Sequence, residues 1–224
     1  MNRVRKFKIS SITVLTTFCI GVSAWIIYNS SVFQAPRLDI PKAGWEKLFF
    51  KGINEVSDSA KLTRLRESHL GRNDIEIRMW KGFGLEELEA MIFRRIDGQW
   101  TAYYLRENRH AEPVRARVTQ LFRAPKSGWK SFTEQIFDAG ILTLPDAESI
   151  DCEVYDYLDG GGFVVEIYKD KVYRPYLYSY FAGEKCDEGK KINEIARIIA
   201  REFYNGVGKC ERYEWLPCLS RDIK

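Results

Sequence analysis

The sequence predicts an α+β domain: an antiparallel sheet of hairpins packed by two or three amphipathic helices, set behind an N-terminal apolar segment. Three observations carry that class. Apolar residues recur with period two over several stretches and with 3–4 spacing over three others. The strand-like stretches are joined by tight turns without regular βαβ alternation, which argues against a parallel sheet. Aromatic residues make up 14% of the chain, a supply that suits strands and large buried rings.

At the N-terminus, residues 1–8 form a basic leader and residues 9–36 carry no charge. The apolar part, residues 9–28, matches the ~20 residues that a helix needs to cross a bilayer. Trp25 and Tyr28 stand at its far end, where amphipathic rings suit the headgroup layer. Two readings follow: a membrane anchor with the leader on the cytoplasmic side, or a signal peptide cleaved after Val22-Ser23-Ala24. Under the first, the chain is a single-pass membrane protein with an extracytoplasmic domain; under the second, it is secreted or periplasmic. Residues 1–28 are therefore the anchor or signal, 29–40 a linker, and 41–224 a single exported domain.

Pro41 suits the first turn of a helix, in which Trp45, Leu48, Phe49, Ile53 and Val56 face inward. Residues 62–67 are a weaker strand candidate. Ile75, Ile77 and Met79 alternate with Glu76, Arg78 and Trp80, the pattern of a half-buried strand. Residues 90–96 and 99–106 flank Asp97-Gly98, a two-residue hairpin signal. Val114, Ala116, Val118 and Phe122 alternate with Arg115, Arg117, Thr119 and Arg123, giving one apolar and one basic face. A second helix starts at an N-cap, Ser127, turns Trp129, Phe132, Ile136 and Phe137 inward, and stops at Gly140. After an acidic loop comes a hairpin, 163–169 and 172–180, turning at Asp170-Lys171. Ile192, Ile195, Ala196, Ile199, Ala200 and Phe203 form the stripe of a last helix, which Asn205-Gly206 ends.

Length and charge bound the function. The 224 residues make one ordinary domain plus a tail. Of the 35 basic residues, Arg3, Arg5, Lys6 and Lys8 lie in the leader, ahead of the first acid, Asp39, and without these four the chain is neutral. Such a domain gives no footprint for nucleic acid. Four of the five cysteines, Cys152, Cys186, Cys210 and Cys218, fall in the exported part, an even number that suits two disulfides. Cys210 and Cys218 close a local loop easily, which leaves Cys152 for Cys186. If residues 146–159 formed a strand instead of a loop, Cys152 would lie too far from Cys186 and would pair with Cys210. The spacing is not that of a zinc site, and no cofactor or metal is expected.

Several residues invite a chemical reading. His69 and His110 lie among charged residues and read as solvated. Asp159-Gly160-Gly161-Gly162 lies between strand-like segments without a helix behind it, so it reads as a turn and not as a phosphate loop. Asp146, Glu148, Asp151, Glu153, Asp156 and Asp159 gather six carboxylates with no cation among them. The simplest partner for them is the basic sheet face of Arg94, Arg106, Arg115, Arg117 and Arg123 within the same molecule; otherwise each is a partner surface. Glu166 reads as a cross-strand partner of Arg174, or as a catalytic acid with Asp159 as its second carboxylate. Tyr176, Tyr178 and Tyr180 share a strand face that either fills the core or grips a partner or a sugar.

Trp129 with Phe132, Leu144-Pro145, Asp159-Gly160, Val165-Glu166 and Tyr173-Arg174 resemble a pattern of exported bacterial proteins of uncharacterised function, over residues 129–180. The resemblance implies a bacterial origin and assigns no activity. The sequence thus points to a binding or interaction module of the cell envelope, whose ligand-binding candidates are Tyr176, Tyr178, Tyr180, Glu166 and Asp159. Its partner would be another envelope protein or a glycan, with the membrane reached through residues 9–28. An envelope hydrolase using Glu166 and Asp159, or a structural envelope component, are the alternatives.

Overall fold

The computed structural model describes residues 35–41, 49–83, 87–108, 115–121, 124–152, 161–203, 208–210 and 213–218, without the side chains of 115, 118–121 and 208–218. The chain divides into Met1–Ala35 and Pro36–Lys224, and everything below concerns the second unit. The expected anchor or signal, residues 1–28, lies outside the described residues, as do residues 42–48 of the first expected helix. Among the described residues, no helix is long and apolar enough to cross a membrane.

The fold is α+β. In chain order the elements are β1 (Arg37–Leu38), α1 (Lys51–Ser59), β2 (Ile75–Lys81), β3 (Glu89–Ile96), β4 (Gln99–Asn108), β5 (Arg115–Leu121) and α2 (Gly128–Asp138). They continue with β6 (Gly162–Lys169), β7 (Val172–Ser179), α3 (Asp187–Phe203), β8 (Gly208–Cys210) and β9 (Tyr213–Cys218). The main sheet runs β1-β7-β6-β2-β3-β4-β5, and β8-β9 form a separate pair. Strands β2 to β7 are antiparallel to their neighbours, but β1 joins β7 in parallel, so the sheet is mixed. The expected linker thus enters the sheet: Arg37 N–H reaches Lys171 O, and Asp39 N–H reaches Tyr173 O, each at 2.9 Å.

Two-residue turns set the hairpin registers. Asp97 and Gly98 have φ of 49° and 79°, and Asp170 and Lys171 have 53° and 62°, the left-handed pairs that match strand twist. On one face of the sheet lie Ile77, Phe93, Val165 and Tyr176, under α2 and α3. There the Phe93 ring packs against Phe132 of α2 at 5.0 Å and Phe203 of α3 at 5.4 Å. The other face carries Glu76, Arg78, Trp80, Glu166 and Tyr173, beneath Phe50 and the chain that follows α1. The expected half-buried strand at 75–80 is therefore buried on both faces, because both layers of the molecule use it.

Two local expectations change. Residues 62–67 supply a turn of 3-10 helix, Leu65–Glu67, with Leu65 in the core, and no strand. Ser127 stands at the N-cap of α2 but its hydroxyl makes no capping bond; its N–H is satisfied by Glu202 Oε2 of α3 at 2.8 Å. Asn205 and Gly206 lie outside the described residues, as does Asp159.

Candidate functional site

Glu166, expected as an ion-pair partner or a catalytic acid, is 2% exposed. Strand alternation puts it on the α1 face, where the β2–β6 register sets it beside Arg78 and the β6–β7 register sets it opposite Pro175. It does not pair with Arg174. That residue lies on the other face, opposite Ile167, and donates to Leu144 O at 2.5 Å and Leu142 O at 2.6 Å. Glu166 accepts hydrogen bonds from Trp80 Nε1 at 2.6 Å and from the Tyr173 hydroxyl at 2.8 Å. Burial, reinforced by the Glu166 charge, pushes the Tyr173 phenol well above its ordinary pKa.

Arg78 Nε and Arg94 Nε both donate to Glu76, at 2.7 and 2.5 Å, and Arg78 Nη2 donates to Thr63 O at 2.7 Å. The layer is a buried polar network in which Glu76 takes both arginines, while Arg78 Nη1 is left without a hydrogen-bond partner among the described residues. Both Glu166 oxygens are committed to neutral donors, which is the bonding of a structural carboxylate.

The tyrosines expected as a binding face are buried as well. Tyr176 and Tyr178 have no exposure and Tyr180 has 3%. Tyr176 donates to Ile141 O at 2.8 Å and Tyr178 to Pro145 O at 2.7 Å, fastening the stretch after α2 onto β7. Tyr180 accepts from Gly82 N–H at 3.2 Å. Desolvation raises the Tyr176 and Tyr178 pKa values, as expected for phenols used in packing. The alternating pattern that suggested a surface reflects a core strand, covered on this side by α2, α3 and residues 141–147.

The expected union of acidic loop and basic face is described only in part, since Arg123 and the side chain of Arg115 lie outside the described residues. Arg94 pairs with Glu76, and Arg106 with Glu87 at 2.8 Å and Glu89 at 3.7 Å. Asp146 accepts from Glu148 N–H at 3.1 Å and from Leu177 N–H at 3.0 Å. Burial holds its carboxyl up at a pKa of about 6 against those two bonds. Glu153 and Asp156 lie outside the described residues with Asp159, and His110 does too; His69 is exposed. Cys152 and Cys186 are joined, with Cα atoms 5.8 Å apart, and Cys152 follows a 3-10 turn, Ala147–Ile150, as the loop reading requires. The side chains of Cys210 and Cys218 are outside the described set.

The two edges of the sheet differ. On β7, β1 covers the first two positions, Pro175 has no N–H to offer, and Leu177 gives its N–H to Asp146. On β5, Ala116 N–H donates outward to Ser59 Oγ at 2.8 Å. The antiparallel ladder then turns the N–H groups of Val118 and Gln120 outward too, and no described strand pairs with them.

Neither a family profile, a characterised protein nor a solved structure matches the chain.

Charge completes the picture of that open edge. The registers bring Lys81, Glu89, Arg106 and Arg117 into one row across β2, β3, β4 and β5. Lys81 Nζ lies 3.0 Å from Glu89, which Arg106 approaches from the other side. Arg117 is exposed and pairs with no acid among the described residues. Sequence reasoning saw the basic face of β5 but not its position at an edge, because sheet order depends on the loops between β2 and β3 and between β4 and β5.

Proposed function

We propose that the chain is an interaction module of the cell envelope, exported through its N-terminal segment, which binds a partner protein by accepting an extended segment along β5. One observation carries the reading: the β7 edge is closed by three separate devices, whereas no described strand pairs with the outward backbone groups of β5 beyond Ala116. A free row of N–H and C=O groups is a template for strand addition, and main-chain bonds supply the affinity. Tyr176, Tyr178 and Tyr180 are buried and are no glycan platform, and main-chain pairing along β5 is what a protein segment supplies. The apolar residues 9–28 behind the basic leader are what support export.

The reading is tested in intact cells with a photo-crosslinking residue at Gln120 and, as control, at Glu134 on the exposed side of α2. A single adduct from Gln120, absent from Glu134 and lost when Val118→Pro removes an outward N–H, is expected. Equal adducts from both positions, or an adduct that survives Val118→Pro, would count against it.

A further inference from the structure

Resting on that reading, the cross-strand charge row identifies the partner's chemistry. We infer that the segment received by β5 is acidic, with a carboxylate opposite Arg117. Along the row the charges alternate, Lys81, Glu89, Arg106, and each neighbour answers the one before it. Arg106 is held by Glu87 and Glu89, at 2.8 and 3.7 Å. Arg117 stands directly opposite Arg106, so the last step of the row sets two like charges together, normally a cost in a sheet. A carboxylate on an added strand restores the alternation at Arg117, which pairs with no acid among the described residues. Arg115, two residues earlier in β5, adds to the positive charge of the strand.

The same charge argues against the nearest competitor. A second copy of β5 would bring its own Arg115 and Arg117 to the edge, repelling the first. The arginines thus exclude self-pairing while admitting an acidic strand, which makes them a selectivity device as well as a guard.

The test uses the full-length chain in detergent and two capped ten-residue peptides, one alternating Thr with Glu and one alternating Thr with Lys. The Thr/Glu peptide is expected to bind about fivefold or more tightly, to slow amide exchange within residues 115–121, and to weaken as salt is raised. Arg117→Glu, at an exposed position, is expected to invert the preference without lowering the unfolding midpoint, since a Glu opposite Arg106 removes the like-charge pair. Equal binding of both peptides along β5 would leave the edge reading standing and overturn the inference of an acidic partner. Binding that leaves 115–121 unprotected would overturn the edge reading itself. A dimer of the chain alone that Arg117→Glu dissociates would replace the acidic partner with a second copy.

Discussion

Asp146 is pulled in opposite directions by its surroundings. Desolvation raises its pKa from 3.8 to about 6, while the N–H groups of Glu148 and Leu177 favour the charged form. A carboxyl with a raised native pKa binds its proton more tightly in the fold than in the unfolded chain. Its stabilising share is therefore complete below pH 3.8 and lost as the pH passes 6, a change of roughly 3 kcal/mol at most. Urea midpoints across pH 4–6 are expected to fall more steeply for the native protein than for Asp146→Asn, which also loses about 1 kcal/mol throughout by giving up one acceptor. Parallel profiles would contradict burial as the cause. Asp58 and Asp187, held low by hydrogen bonds from Arg64 and Lys190, act in the opposite sense and below pH 3.8. For Glu166, truncation leaves the Trp80 N–H and the Tyr173 hydroxyl buried without an acceptor. Glu166→Ala is expected to cost about 2–4 kcal/mol in equilibrium unfolding, and Glu166→Gln about 1 kcal/mol.

Elements are held in place by turns, one close approach and one cross-link. Lys171 adopts φ of 62° with a side chain, so Lys171→Gly is expected to raise stability by about 1 kcal/mol, read from the thermal midpoint. Gly189, in the first turns of α3, has no room for a Cβ: that atom would lie 2.1 Å from the Ala182 carbonyl. Gly189→Ala is expected to cost about 3 kcal/mol, because backbone cannot yield as a side chain would. The Cys152–Cys186 bond spans 34 residues and ties the loop before β6 to the start of α3; removing both cysteines should cost about 4 kcal/mol in denaturant unfolding. Much at this scale was legible. Period two, period 3–4 and the two dipeptide turns placed β3, β4, β6, β7, α2 and α3 closely. The Asp170-Lys171 turn also fixes the register by itself, and carrying it through puts Pro175, not Arg174, opposite Glu166. What periodicity could not tell was whether the polar face of β2 met water or a second layer, since Glu76 and Arg78 look solvated until their partners are known.

Among the described residues, β2, β6 and β7 are buried on both faces and the β7 edge is closed. The sequence could not place β5 at the other edge. The Asp97-Gly98 turn sets Glu89 against Arg106, yet the row gains Lys81 and Arg117 only through longer loops whose lengths fix no register. The tyrosines failed as a surface for a related reason: an aromatic strand face looks alike whether a partner or the molecule's own α2 and α3 cover it. Strand addition at β5 would show itself in the amide exchange of residues 115–121. The full-length chain should be compared in isolated cell envelopes and after purification in detergent. The outward amides of Val118 and Gln120 are predicted to exchange at least about tenfold more slowly in envelopes, while the inward amides of the β4–β5 ladder stay unchanged. Equal exchange of the outward amides in the two preparations would rule out strand addition at β5.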